Sequence, residues 1–125
     1  KNPGEKCGGY RCVFAMKRLR FSEPLVRMVL DGSKDTTWRI DDEKLIEQGD
    51  ILSLARMDGS EFARVTVLWT HMTTFKDLRL QDKEGHEKFS TEKEMYDTYS
   101  RYYSMSVHPG TPLKVIKFAM LRGAP

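Results

Sequence analysis

Cysteine and histidine are scarce in this chain. Its 125 residues include two Cys and three His. The cysteines are Cys7 and Cys12, and the first histidine, His71, is far from both in the sequence. Because a structural zinc site needs four such ligands, we expect neither a metal site nor another cofactor. The cysteine spacing is compatible with a small disulfide loop and with two ordinary thiols.

Long apolar runs are also absent. The longest ones span only a few residues, whereas a membrane-spanning helix needs about 20. No basic segment followed by an apolar one, the pattern of a signal peptide, opens the sequence. We therefore expect a soluble, cytoplasmic protein with no membrane partner. The length suits one domain, which we assign to residues 15–125 after an N-terminal extension of residues 1–14.

Positive charge is concentrated in the first third of the chain. Residues 1–40 hold nine Lys or Arg against four Asp or Glu, and the rest holds twelve against fourteen. This asymmetry favours an anionic ligand such as a phosphate, a nucleotide or RNA. A solvated basic surface would produce the same pattern.

Turn and cap signals divide the chain into strands and helices. Ser22, a residue type that caps helices, stands two residues before Pro24. Gly32 stands where a helix would end in a residue of left-handed backbone conformation. Asp58-Gly59 is a dipeptide typical of hairpin turns. The pattern predicts, in order, a strand over residues 13–21, a helix between the Ser22 cap and Gly32, hairpin strands over 51–55 and 62–69, a helix after Thr91 and a strand over 113–121. This order indicates a mixed α+β domain and is consistent with a small barrel.

The segment Gly32-Ser33-Lys34-Asp35-Thr36-Thr37-Trp38-Arg39 places a lysine, a threonine and an arginine within six residues. On an extended strand Thr37 and Arg39 share one face and Trp38 lies on the other, since side chains alternate. Charged Lys34 and Arg39 could bind phosphate. In a water-poor cleft a neutral Lys34 could instead take the Thr37 proton for attack on an acyl carbonyl. Arg39 or backbone N–H groups would then stabilise the oxyanion.

This segment is one of an ordered series of short motifs. The series comprises Leu19-Arg20-Phe21-Ser22-Glu23-Pro24-Leu25, Gly32-x-Lys34-x-x-x-x-Arg39, Gly49-Asp50, Phe62-Ala63, Gly85-His86-Glu87 and Thr111-Pro112-Leu113-Lys114-Val115-Ile116-x-Phe118. Together they span residues 19–121 and resemble the ASCH domain, a member of the PUA-like group of small β-barrels. The resemblance implies a mixed barrel with short flanking helices and a cleft that contains the Gly32 to Arg39 motif.

The resemblance also implies two kinds of function. The cleft of the family is proposed to bind RNA, and some members resemble amidohydrolases that remove the acetyl group from N(4)-acetylcytidine. By that likeness the catalytic residues here would be Lys34, Thr37 and Glu87. The chain departs from those members at Asp35, where they commonly carry threonine. A carboxylate beside Lys34 would stabilise the charged lysine and oppose its use as a base.

Our first interpretation is an RNA-, nucleotide- or nucleoside-binding domain with a basic cleft. Its predicted ligand-binding residues are Lys34, Arg39, Trp38, Arg20, Lys17 and Arg18. The second interpretation is the amidohydrolase, and a ribonuclease-associated activity or a peptide-binding module stands behind both. Three side chains keep two interpretations each: Trp38 as a stacking or a core residue, His86 as an acid–base group or a loop residue, and Tyr99 as a base platform or a core residue.

Overall fold

The computed structural model describes residues 16–121, in which five strands form one mixed half-barrel sheet with three short helices. The elements are β1 (Lys17–Phe21), α1 (Glu23–Asp31), β2 (Thr36–Arg39), β3 (Ile51–Arg56), β4 (Glu61–Thr74), α2 (Leu80–Lys83), α3 (Glu92–Tyr103) and β5 (Pro112–Met120). The predicted α+β barrel with flanking helices is confirmed. None of the helices described here is long and apolar enough to cross a membrane. Cys7, Cys12 and the N-terminal extension lie outside the described residues.

Helix α1 begins after Ser22 and ends before Gly32, as the cap signals in the sequence predict. Ser22 is its N-cap residue, but the serine side chain makes no capping hydrogen bond. Pro24 occupies the first turn, where a missing N–H group costs no helical hydrogen bond. Gly32 adopts φ 88° and donates its N–H to the Val29 carbonyl. The Lys34 N–H then donates to the Met28 carbonyl at 3.0 Å, so the helix end fixes the start of the functional segment.

The sheet order is β1-β3-β4-β5-β2, with β1 parallel to β3 and the other pairs antiparallel. The predicted hairpin is present as β3 and β4, although β4 is longer than expected and continues to Thr74. A register shift between Val67 and Trp69 bends this long strand where it pairs with β5. Strand β4 can therefore pair with β3 near its start and with β5 along the rest of its length.

Two apolar clusters lie on opposite faces of the sheet, as alternation along β5 shows. Ile116 and Phe118 pack into the α1 cluster, whereas Leu113 and Val115 pack into the α3 cluster. The α1 cluster comprises Leu19, Phe21, Val26, Val29, Ile46, Leu52, Leu54, Val65, Val67, Ile116 and Phe118. The α3 cluster comprises Trp38, Ile40, Phe75, Tyr99, Val107, Leu113 and Val115.

Strands β1 and β2 are the two edges of the sheet and do not pair with each other. We call the gap between them the open seam. Arg39 bridges it, because its Nη2 donates to the Arg20 carbonyl at 3.3 Å and its guanidinium lies 4.8 Å from the centre of the Phe21 ring. The seam is thus crossed by a side chain rather than by a backbone ladder.

The loop after α2 is attached to the start of β2 through Gly85. Its carbonyl accepts hydrogen bonds from the Asp35 N–H at 2.9 Å and the Thr36 N–H at 3.1 Å. Gly85 has φ 78°, and a Cβ atom there would meet the Asp35 carboxylate oxygen at 1.8 Å. The positive φ favours glycine, and an added Cβ would displace the Asp35 carboxylate. The two hydrogen bonds to the Gly85 carbonyl bring the following residues, His86 and Glu87, against the functional segment.

Replacement of Gly85 by alanine therefore has two costs, backbone strain and a clash with Asp35. Gly49→Ala is the matched control, because Gly49 has φ 91° but no atom within 4 Å of an added Cβ. We expect Gly49→Ala to lower the free energy of unfolding by about 1–2 kcal/mol. Gly85→Ala should lower it by at least about 1 kcal/mol more. Urea unfolding measures both, and equal effects would contradict the proposed close contact.

Candidate functional site

A cavity of about 300 Å³ occupies the open seam. Edge strand β1 contributes Arg20 and Phe21, and edge strand β2 contributes Thr37, Trp38 and Arg39. The full lining is Arg20, Phe21, Ser22, Leu25, Lys34, Thr37, Trp38, Arg39, Met57, Glu87, Tyr99, Tyr102 and Tyr103. Its walls are therefore largely aromatic and apolar, with a few polar groups among them.

Lys34 is the most deeply buried charged group of this cavity, with 1% of its side chain exposed. Its Nζ donates to the Glu87 carboxylate at 2.5 Å and to the Thr36 carbonyl at 2.6 Å. Glu87 is 53 residues away in the sequence, and 15% of its side chain is exposed. The structure thus brings together Lys34, Thr37 and Glu87, the three residues that the sequence resemblance placed in one site.

Burial and ion pairing shift the pKa values of Lys34 and Glu87 in opposite directions. Burial lowers the pKa of the Lys34 ammonium below its usual range, although the Glu87 carboxylate opposes that shift. Burial alone would raise the pKa of Glu87, but the charge of Lys34 and its hydrogen bond hold that pKa below its usual value. Glu87 is therefore ionised at neutral pH. Its charge stabilises the protonated form of Lys34, which burial alone would make more acidic.

Thr37 and Arg39 share a face of β2, as predicted for an extended segment. Arg39 Nε donates to the Thr37 hydroxyl oxygen at 3.1 Å, and the Thr37 side chain is buried. The hydroxyl proton of Thr37 is thus available to another acceptor. Within residues 16–121, Lys34 makes no hydrogen bond to this hydroxyl, and its nearest polar partners are Glu87 and the Thr36 carbonyl.

Trp38 is a core residue of the α3 cluster, and 4% of its surface is exposed. Its indole Nε1 donates to the Asp82 carbonyl at 2.9 Å. Its ring stacks on His86, with ring centres 3.6 Å apart and planes 14° from parallel. A flat face of the indole is therefore already occupied, which favours the core interpretation of Trp38 over base stacking.

His86 is a neutral residue of the core. Its Nδ1 lies 2.8 Å from the Glu87 carbonyl and its Nε2 lies 2.9 Å from the Tyr99 hydroxyl. A carbonyl only accepts, so Nδ1 carries the proton and Nε2 accepts from the tyrosine. Burial, together with the charge of Lys34, lowers the pKa of His86 to about 3. The loop interpretation of His86, with its local hydrogen bond, matches these contacts.

Asp35 makes no hydrogen bond to Lys34, but its charge raises the pKa of the Lys34 ammonium, as the sequence predicted. Its carboxylate accepts from Lys117 Nζ at 2.8 Å. Glu87 is the carboxylate in direct contact with the ammonium group, and it raises the Lys34 pKa more than Asp35 does.

The other predicted basic residues divide into one that lines the cavity and two that do not. Arg20 lines it, and its Nη1 donates to the Met57 carbonyl at 3.1 Å. Arg18, on the same strand, donates to the Gly59 carbonyl at 3.1 Å outside the cavity. Lys17 also lies outside it and pairs with the Asp50 carboxylate at 2.8 Å.

The tyrosine helix contributes one wall of the cavity. The sequence left its tyrosine face open as a base platform or a core face, and Tyr99, Tyr102 and Tyr103 all line the cavity. Tyr99 is buried, whereas Tyr102 is 55% exposed. The helical spacing gave the only signal, because it put three aromatic residues within one and a half turns. No group of three or more His, Cys, Asp or Glu side chains in the described part of the chain could hold a metal ion.

Solved structures share this fold. The ASCH domain from Lactobacillus crispatus is 13% identical over 76% of this chain and 69% of its own, with a TM-score of 0.59. A Pyrococcus furiosus protein solved by solution NMR is 20% identical over 86% of this chain and 99% of its own, with a TM-score of 0.61. An Enterococcus faecalis protein is 14% identical over 82% and 74%, with a TM-score of 0.59.

At the level of sequence, no family model and no curated protein matches the chain. The structural matches nevertheless confirm the ASCH-like fold that the ordered motifs predicted. At these identities the likeness concerns the fold, and the function has to be argued from the side chains in the open seam.

The neutral His86 predicts that acid destabilises the fold. The unfolded chain takes up a proton at this residue as the pH falls below about 6.5, whereas the folded chain does so only at about 3. Stability is therefore fully present above pH 6.5 and declines toward pH 3. Between pH 4.5 and 6.5 we expect wild type to lose up to about 1.4 kcal/mol per pH unit more than His86→Asn.

Urea unfolding at several pH values measures this difference in slope. His108→Asn is the control, because His108 is exposed and lies at a turn. It should leave the slope unchanged. If His86→Asn retains the wild-type slope, His86 is not the group that couples protonation to unfolding. Glu87 contributes in the same direction at lower pH, since its pKa is also lowered in the folded chain.

Proposed function

We propose that this chain binds a nucleotide of single-stranded RNA, or a free nucleoside, with its base in the open seam. The observation that carries the proposal is the combination of an aromatic wall with one buried donor and acceptor pair, Lys34 and Glu87. A base needs both, because its faces are apolar and its edge carries hydrogen-bonding groups.

The dimensions of the cavity support a ligand of this kind. Its volume of about 300 Å³ is at the lower end for small-molecule sites, which are mostly apolar with a few placed polar groups. Lys34 offers N–H donors, and Glu87 offers carboxylate acceptors. A splayed, single-stranded base can reach such a pocket, whereas a base inside a duplex cannot.

The phosphate contact belongs to arginine rather than to lysine in this proposal. Lys34 is too deeply buried to meet a solvated phosphate, and it already binds Glu87 and a backbone carbonyl. Arg20 and Arg39 line the cavity and carry further N–H donors. This changes the role of Lys34 from a phosphate ligand, as the sequence indicated, to a group beneath the base.

Arg20 and Arg18 form a matched pair for testing this assignment. Both lie on β1, and each donates to a carbonyl of the β3–β4 turn at 3.1 Å, but only Arg20 lines the cavity. Arg20→Gln should weaken binding of cytidine 5′-monophosphate roughly tenfold, the effect of losing one charge-assisted hydrogen bond. Arg18→Gln should leave it unchanged.

Isothermal titration calorimetry with the four nucleoside 5′-monophosphates measures these affinities. Binding of the unphosphorylated nucleosides should respond little to Arg20→Gln. If none of the nucleotides binds to wild type, or if both variants weaken binding equally, the proposed site is wrong.

A second candidate function is hydrolysis of an N-acyl group on the bound base. The observation that favours it is the lowered pKa of Lys34 in the cavity that also contains the Thr37 hydroxyl. Lys34 would first pass a proton to Glu87. Thr37 Oγ1 would then attack the acyl carbonyl and pass its own proton to the neutral Lys34, with Arg39 beside the developing oxyanion. Cleavage of the C–N bond returns that proton to the amine, and water then hydrolyses the Thr37 ester.

Incubation with N(4)-acetylcytidine separates the two functions. If the chain is an amidohydrolase, wild type releases cytidine and acetate, and Thr37→Val loses at least about 10²-fold of the rate. Thr37→Ser is the control, since it keeps the hydroxyl that valine lacks and should retain turnover. Binding without release by wild type would leave the chain as a binding module.

A further inference from the structure

A second cavity, of about 360 Å³, lies behind the open seam. It shares Trp38 and Glu87 with the first cavity, and His86 also lines it. The stacked Trp38 and His86 rings are 3.6 Å apart. The two cavities are therefore separated by one layer of packed side chains.

The floor of the second cavity is apolar and aromatic, and its rim is basic. Phe75, Phe89 and Met95 form the floor, and all three belong to or pack against the α3 cluster. The rim includes Lys76, Lys83 and Lys88, which are all exposed.

Charge complementarity identifies the class of ligand for this cavity. None of the three lysines forms an ion pair with another residue in the described range 16–121. Glu92 is the opposing charge on the lining, because the charge of Glu87 is already paired with Lys34. A ligand with a flat apolar part and a negative charge fits both the floor and the rim.

We infer that the second cavity binds the adjacent nucleotide of the same RNA strand, so that the preferred ligand is an oligonucleotide rather than a nucleoside. This inference rests on the proposed function of the open seam. The base would pack on Phe89 and Met95, while the lysines meet the two phosphates that flank its nucleotide. The shared wall of Trp38 and His86 would hold the two bases apart.

The test compares cytidine 5′-monophosphate with the RNA tetranucleotide CCCC by isothermal titration calorimetry. Wild type should bind the tetranucleotide at least fivefold more tightly, since an aromatic contact to one further base has about that effect. The double variant Lys83→Gln/Lys88→Gln should reverse this gain. It should also reduce the slope of log K against log salt by about 1.4, the value for two lost phosphate contacts on a single strand.

The matched control is Lys93→Gln/Arg101→Gln, which removes two exposed charges of α3 that line neither cavity. This control variant should still bind the tetranucleotide more tightly than the monophosphate, and its slope of log K against log salt should equal that of wild type. Phe89→Leu, which preserves an apolar side chain but not the ring, should lower tetranucleotide affinity without changing the slope.

The outcomes distinguish this inference from the function on which it rests. Binding of the monophosphate with no gain from the tetranucleotide overturns the second cavity and leaves the first one standing. An equal loss in the control double variant also overturns it, because the effect would then be one of overall charge. If neither ligand binds, the proposed function fails and the second cavity fails with it.

Discussion

Within residues 16–121, strands β1 and β2 are the two edges of the sheet and do not pair with each other, and a cavity lies between them. Free edges invite pairing with other chains and are usually covered or blunted. Here the tyrosines of α3 line the gap, and the Arg39 side chain crosses it to the Arg20 carbonyl. A closed sheet would fill this space with its own hydrogen bonds. The cavity therefore exists because the backbone ladder is interrupted, and its walls are formed by the side chains on either side of the interruption.

Burial of the Lys34 ammonium costs desolvation free energy. Its burial is compensated by Glu87, and Glu87 reaches it because the Gly85 carbonyl is hydrogen-bonded to the start of β2. Replacing a buried ion pair with apolar residues is often neutral or even stabilising, so such a pair is weak evidence for a role in stability. In the proposed function the pair supplies what an apolar pair could not, a donor and an acceptor for the edge of the base.

Local signals in the sequence were sufficient to predict the bounds of helix α1 and the position of the β3–β4 hairpin. Pro24 and Gly32 mark the ends of α1, and the Asp58-Gly59 turn marks the β3–β4 hairpin, because each depends on the conformation of one or two residues. The partner of Lys34 did not follow from spacing; the family resemblance supplied Glu87, while local reasoning pointed to Asp35. The Asp35 to Lys117 pair and the Trp38 to His86 stack join residues more than 40 positions apart. Contacts of this kind depend on the tertiary fold and produce no periodic pattern in the sequence.

Neutral His86 explains how one wall can serve two cavities. A protonated imidazole would stand close to Lys34 and repel it, and it would also lose the hydrogen bond that its Nε2 accepts from Tyr99. With the ring neutral, His86 packs flat against Trp38, and the indole Nε1 at the ring edge donates to the Asp82 carbonyl. The two rings therefore form a rigid partition without a net charge. Charge is left to the groups on either side of it, the Lys34 and Glu87 pair in the open seam and the lysine rim of the second cavity.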